Sequence, residues 1–424
     1  MSNARTRDQN LLTLRPERFI PGGECLVRSA DQPVTFVQGA VPGELVTATV
    51  TERKKQWRRA EVTDIIEPSS HRVDPPCPHV ARGCGGCDWQ YLDPAYQLEA
   101  KTQIAIDAIR RGAGRALGID DAVVRPGGSV DSTGYRTTLR VRGTPAGRAG
   151  LYAAGSHRVI DIGGCLVAHR GLHQVLDSVR ITPGVELMLR ISVATGQITA
   201  IWEGPLDAVS GLGPEVQIGP DAHLIEHVAG VDLQVSAGSF FQSGPEAAAL
   251  LIESVRRLAP EVATAHHLVD AYGGIGLFAA TLADADAHIT LIESSASAVA
   301  DARHNLRSWV DAGLAQLWES TVENKANWGT SHAVVPVDLV IADPARQGLD
   351  REGLAALVAT AAPVIILVSC DPAAGARDLR LAGEAGYQVT AVEVLDLFPH
   401  THHVEMVSRL ERGDHFSSGA ESAP

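Results

Sequence analysis

From about Leu233 onward the chain repeats one pattern: a short apolar run, a turn, then a helical stretch. Apolar runs bounded by turns and alternating with helices predict an open α/β sheet of Rossmann-like type. Ligands of such sheets bind outside the carboxyl ends of the strands. The residue that ends each run is therefore a candidate site residue.

The first run, Leu268 to Ala271, passes through Tyr272 into Gly273, Gly274 and Gly276 and then into a helix. Glycines there let backbone approach a ligand closely, and a helix N-terminus favours acidic groups. A second run, "HITLIE", ends at Glu293, about twenty residues on. A carboxylate in that place can accept hydrogen bonds from both hydroxyls of a ribose. No Gly-Lys-Ser/Thr follows the glycines, which excludes a P-loop. Two cofactor classes remain, a dinucleotide and S-adenosylmethionine. "GGIG" lacks the full Gly-x-Gly-x-x-Gly spacing and tilts the choice to the latter.

Two later runs end in chemistry. "VDLVIADPARQG" delivers Asp343, and "PVIILVSCDPAAG" delivers Cys370. A lone Cys after an apolar run is commonly a small buried hydrophobe. Ending its strand beside a polar turn fits a reactive thiolate. The stretch "FPHTHHVEMVSRL" holds His400, His402, His403 and Glu405. No carboxylate or Cys stands at a familiar metal-ligand spacing from these histidines. Glu405 lies inside a largely apolar strand, where it could form a salt bridge at an edge, or where burial near the crevice would raise its pKa and suit it to proton transfer.

The N-terminal half differs. Residues 1–170 carry 23 Lys and Arg against 18 Asp and Glu, whereas the remaining 254 carry 13 against 32. The densest basic run, "ERKKQWRRAE", sets Arg53, Lys54, Lys55, Arg58 and Arg59 around Trp57. Such a run is usually a solvated face, but an aromatic among arginines can also stack a base while the charges track phosphates. From Arg15 to Ile66, short apolar stretches separated by Gly/Pro turns predict a small OB-like barrel of five strands. "CPHVARGCGGCDW" then brings Cys77, Cys84 and Cys87 within eleven residues. The start of the chain shows no secretory signal and no segment is fit to span a bilayer, so a cytoplasmic, thiol-reducing setting is expected. Clustered cysteines then point to a metal. Cys25, Cys165 and Cys370 remain as possible fourth sulfurs, and His71 or His79 could complete a zinc site.

Over residues 15–412 the chain resembles the S-adenosylmethionine-dependent RNA uracil-5-methyltransferases, which make 5-methyluridine in tRNA and 23S ribosomal RNA. "SCDPAAGARD", "FPHTHHVE", "DPARQG", "SFFQ" (Ser239 to Gln242) and the cysteine set carry the resemblance. The stretch "VTFVQGAVPGELVTATVTERKKQWRRAEVTDIIEPS" resembles the RNA-binding TRAM barrel found in many members. The resemblance implies Cys370 as nucleophile and Glu405 as general base. It implies Gln242, Tyr272, Glu293 and Asp343 as cofactor-binding residues. It adds Cys165 to Cys77, Cys84 and Cys87 around a [4Fe–4S] cluster, with zinc the alternative occupant. The chain departs from the family at Gly273, where relatives often carry Cys, and at Asp371, where many carry Asn.

The expected fold is thus a multidomain α/β chain. Residues 1–70 form a TRAM-like RNA-binding barrel, 71–230 a central α+β domain with the four cysteines, and 231–412 a class I methyltransferase domain. Residues 413–424 form a polar, disordered tail. The expected partner is RNA, with 23S rRNA ahead of tRNA because simpler tRNA enzymes of the family can lack both barrel and cluster. No membrane association is expected, and a monomer is compatible with these roles. Two rival readings are a dinucleotide-dependent oxidoreductase with an iron–sulfur centre and a non-catalytic RNA-binding protein. The first leaves Cys370 and Glu405 without a role, and the presence of both residues speaks against the second.

Overall fold

The computed structural model describes residues 10–29, 32–114, 120–324 and 335–413; the tail, apart from Gly413, lies outside the described residues. A six-stranded sheet opens the chain, with Leu11–Leu14 at one edge and Arg18–Phe19 at the other. These two strands are joined only by Arg15, Pro16 and Glu17. Laid flat, six strands would hold their edges roughly 24 Å apart, while that link reaches at most about 14 Å. The sheet must therefore curl until its edges approach. Bulges between Leu45–Arg53 and Trp57–Glu67 help it bend. The expected strands from Arg15 onward are present, and Leu11–Leu14 adds one before them.

The basic run folds as the hairpin of those last two strands. Alternation along Trp57–Glu67 turns Arg58 inward, where its Nε donates to Thr35 Oγ1 at 2.8 Å. Arg59 bonds Glu24 at 3.0 Å and lies 5.4 Å from the Trp57 ring. The run is thus only partly a solvated face.

A second six-stranded sheet follows, in the order Val159–Asp161, Ala149–Tyr152, Thr138–Gly143, Glu186–Ile191, Ile198–Trp202, Val216–Ile218. It is antiparallel except for its last pair.

The C-terminal sheet has eight strands. Its order is Ala315–Glu319, His288–Glu293, His267–Ala271, Leu339–Ala342, Val364–Ser369, Glu405–Arg412, Tyr387–Asp396 and Val124–Ser129. The first five run parallel, and Glu405–Arg412 is antiparallel to both its neighbours. Every residue of Val364–Ser369 is buried, as a strand covered by helices on both faces requires. Each such Val, Ile or Leu contributes roughly 1.5–3 kcal/mol by burial. The chain visits this sheet before building the central one, because Val124–Ser129 pairs parallel with Tyr387–Asp396. The helix Pro94–Ile109 also packs against the sheet, and its Lys101 is fully buried against Asp396 at 2.6 Å. No helix among the described residues is long and apolar enough to cross a membrane.

Candidate active site and cysteine pocket

The register of the C-terminal sheet brings the predicted residues to one edge. Ala271 pairs with Ala342 and with Ile292, so Tyr272, Asp343 and Glu293 follow side by side. Across the antiparallel pair, Ser369 faces Met406. One step further along both strands sets Cys370 opposite Glu405. Directly opposed residues hold their Cβ atoms about 5 Å apart, on one face.

The Gly-rich turn is shaped by its neighbours. Glu293 Oε2 accepts from Gly274 N at 3.0 Å and Oε1 from Ser295 N at 2.7 Å, which leaves carboxylate lone pairs for a ligand. Gly274 and Gly276 have φ of 55° and 81°, and Tyr272 adopts the left-handed region at 59°. Tyr272 Oη donates to Glu323 at 2.7 Å. At Gly273 a Cβ would stand 2.8 Å from Leu291 Cγ, so Leu291 fills the space that a side chain there would need. Asp371 caps the helix Pro372–Glu384, its Oδ1 accepting from Ala373 N and Ala374 N. Asn caps equally well, so this departure preserves the local chemistry.

Burial dominates the electrostatics of the edge. Asp343 is pushed up to about 7 by desolvation, opposed by Gln242, whose Nε2 donates to Asp343 Oδ2 at 3.3 Å. Burial, and next the Asp343 charge, hold Glu405 well above the usual carboxylate range, while Arg346 opposes. The half-buried Cys370 thiol is pushed up to about 12 by burial and by Glu405 and Asp343; Arg346 pulls it down. One cation thus faces three acids, and ionising one acid resists ionising the next. The histidines diverge: His402 Nδ1 lies 2.6 Å from Asp88 and the His403 ring 3.2 Å from Arg346 Nη2, while His400 is buried.

Three participants were not singled out from sequence. Arg346 sits in the loop just past a strand end, a place that could have flagged it. Glu323 answers Tyr272 from a separate loop. Asp270 lies wholly buried inside its strand, one oxygen accepting from Ala279 N at 3.0 Å and the other without a partner. Burial raises it to about 8, and nearby Asp343 and Glu293 add to the shift.

Cys77, Cys84, Cys87 and Cys165 line one cavity of about 270 Å³, together with His79, Gln90 and Arg136. His79 Nδ1 is 3.3 Å from Cys77 Sγ, whereas His71 stacks on Tyr96 outside the cavity. Burial pushes Cys87 up to about 12, with Cys165 and Cys84 adding and Arg136 opposing. Cys84 and Cys165 are raised by burial too, and neighbouring cysteines add to it. No group of three His, Cys, Asp or Glu among the described residues is arranged to hold a metal ion. Cys25 lies apart in the N-terminal core, bonded to Ala40 O.

A family model described as tRNA (Uracil-5-)-methyltransferase matches residues 329–413, the stretch that contains Asp343, Cys370 and Glu405. An RNA methyltransferase of Streptomyces avermitilis is 34% identical, over 92% of this chain and 95% of its own. The chain belongs to the S-adenosylmethionine-dependent RNA uracil-5-methyltransferases. Within this family's reach, the 23S rRNA (uracil(1939)-C(5))-methyltransferase RlmD of Shewanella amazonensis is 29% identical, over 89% of this chain and 90% of that one. The uracil-5-methyltransferase fold itself is matched by the crystal structure of the Pyrococcus abyssi tRNA (uracil-54, C5)-methyltransferase in complex with S-adenosyl-L-homocysteine. That match has a TM-score of 0.71 at 21% identity and covers 94% of this chain and 100% of that one. The present chain is accordingly an RNA (uracil-5-)methyltransferase that uses S-adenosylmethionine.

Proposed function

We propose that this enzyme methylates carbon 5 of a uridine in 23S rRNA through a covalent adduct between Cys370 and the base, with Glu405 as the general base. The reading is supported by the Ser369–Met406 pair, which Cys370 and Glu405 flank, and by the charges of Glu405, Asp343 and Arg346 acting on the Cys370 thiol. S-adenosylmethionine, when bound, supplies an electrophilic methyl group on a sulfonium. Glu293 and Tyr272 at the Gly-rich turn, with Gln242 and Asp343, are the residues proposed to hold it; the free lone pairs of Glu293 and the open left-handed turn suit a ribose-bearing ligand.

Carbon 5 of uracil is a weak nucleophile, so activation is needed. The Cys370 thiolate adds to carbon 6, forming the S–C6 bond and pushing the pyrimidine electrons into an enolate. Carbon 5 then takes the methyl group, whose bond to sulfur breaks. Glu405 accepts the remaining proton from carbon 5, and the electrons left behind reform the C5–C6 double bond as Cys370 departs. A carboxyl group whose pKa burial raises suits that proton transfer. The base must leave its stack to reach this edge, which favours a loop or single strand.

The curled N-terminal sheet, with its Trp57 and Arg59 hairpin, is assigned to RNA contact as a TRAM-like module. The four pocket cysteines are assigned to a [4Fe–4S] cluster. Their donor set fits, since four sulfurs share one cavity and burial raises the thiols of Cys84, Cys87 and Cys165, where a polycation would favour the thiolates. Zinc, held by the same thiols, is the alternative occupant. The 23S rRNA relative, at 29% identity, supports ribosomal RNA as the substrate, and tRNA is the second reading, supported by the tRNA enzyme whose fold matches.

The test is to mix anaerobically purified protein, S-adenosylmethionine and RNA carrying 5-fluorouridine, using 23S and tRNA fragments side by side. Fluorine replaces the proton that Glu405 must remove, so the adduct should survive denaturation. An adduct with the 23S fragment that Cys370→Ala abolishes is expected. An adduct with tRNA alone would reassign the substrate, and none with either RNA would sink the covalent reading.

A further inference from the structure

The loop 397–404 connects Asp396 at the end of one strand to Glu405 at the start of the next. Tyr135 Oη donates to Pro399 O at 3.1 Å and Ser243 Oγ to Leu397 O at 3.0 Å, and further anchors come from residues 88–101. Asp88 Oδ1 accepts from His402 N at 3.2 Å, and its Oδ2 lies 2.6 Å from His402 Nδ1. Trp89 N donates to His400 O at 2.9 Å. Gln97 is fully buried; its Oε1 accepts from His400 N at 2.6 Å while its Nε2 donates to Leu92 O at 2.9 Å and Trp89 O at 3.3 Å. Lys101 Nζ donates to Asp396 Oδ1 at 2.6 Å and to Phe398 O at 3.1 Å. His400 has a φ of 66°, a backbone state that a non-glycine residue keeps only when its surroundings hold it.

We infer that residues 88–101 form a strut whose contacts with loop 397–404 position the Glu405 carboxylate for proton removal, with Gln97 and Asp88 as positioning residues. The inference rests on the covalent reading above. Addition and methyl transfer depend on Cys370 and the bound donor, which other strands hold. Only the last step needs the carboxylate at the carbon 5 proton, and proton transfer is steep in distance and angle. Loosening the strut should therefore slow resolution of the adduct far more than its formation. Gln97 is the sharpest probe, because its one side chain joins the strut backbone at Trp89 and Leu92 to the loop at His400.

The experiment uses the full-length enzyme, S-adenosylmethionine and the RNA fragment that gives the 5-fluorouridine adduct. Gln97→Met removes the bonds, and Asp88→Asn is a milder change at a part-exposed side chain. With ordinary uridine both variants should accumulate a methylated, denaturation-resistant adduct that wild-type protein does not. Turnover should fall about tenfold or more, Gln97→Met exceeding Asp88→Asn. The rate of 5-fluorouridine adduct formation and the KM for S-adenosylmethionine should stay within about twofold, since neither depends on proton removal. Unchanged turnover with no accumulation in both variants would overturn the strut. So would loss of turnover and of the 5-fluorouridine adduct together in Asp88→Asn. Failure of wild-type protein to form the 5-fluorouridine adduct would instead bring down the covalent reading, and the strut with it.

Discussion

The molecule presents sulfur in two settings. At the edge of the C-terminal sheet a single half-buried thiol, Cys370, faces Arg346 and two carboxyl groups. In the central cavity four thiols share one lining, with His79 beside Cys77 and Gln90 beside Cys87. Burial raises the pKa in both, but the partners differ. Around Cys370 sit acids whose raised pKa values let them carry protons, so negative charge can pass between neighbours with one arginine as counter-ion. In the cavity, charge on one sulfur only disfavours charge on the next, and Arg136 is the cation that opposes it at Cys87. The first arrangement suits a bond made and broken in each turnover. The second suits bonds to a cation that stays.

The sharpest way to break this contrast is Glu405→Gln. If Glu405 removes the carbon 5 proton, turnover should fall roughly 10²–10⁴-fold. Ordinary uridine should then trap Cys370 as a methylated adduct, visible as a denaturation-resistant band. Equal loss of adduct and turnover would make Glu405 structural. The wild-type rate should rise with pH, because burial holds Cys370 and Glu405 protonated and ascending pH ionises both.

A smaller effect is expected in the cavity. Cys165→Ser removes one of the four cavity sulfurs. Anaerobically purified wild-type protein should carry about four irons and a broad visible absorbance, and the variant should lose both. Methyl transfer should fall only about tenfold, through weaker RNA binding and a less ordered cavity wall. Wild-type protein with one zinc and no colour would end the cluster assignment. A variant as dead as Cys370→Ala would erase the division between the two settings.

How much of this was legible in the sequence follows the same division. Four of the parallel strands were readable as mainly apolar runs with a polar residue at or just past the end, and Asp343, Cys370 and Glu293 came with them, whereas Ala315–Glu319 carries no such run. Val124–Ser129, "VRPGGS", was not: a proline and two glycines carry no strand pattern, and the strand exists only through parallel pairing with Tyr387–Asp396. Close spacing marked Cys77, Cys84 and Cys87, but Cys165 is distant in sequence and was placed by resemblance. Arg58 read as part of a basic surface, because a one-dimensional charge run hides the alternation that turns every second side chain inward. Arg346 and Asp270 carry no spacing signal at all. Their roles arise from folding.

Asp270 offers the gentlest test of the crevice electrostatics. Its carboxyl is raised to about 8, by burial before any neighbour, and one oxygen has no partner. A raised carboxyl binds its proton more tightly folded than unfolded. The stability it contributes is present below the unfolded value near pH 4 and is lost as pH climbs toward the folded value. Asp270→Asn keeps an oxygen for Ala279 N and never ionises. Relative to wild type, its thermal midpoint should therefore improve between pH 5 and pH 8, by about 2–4 °C for each kcal/mol relieved. Calorimetry at the two pH values reads the difference directly. Parallel shifts at both would mean that Asp270 stays ionised in the fold, and that the acids of the crevice do not share their charge as argued from Asp343 and Glu405.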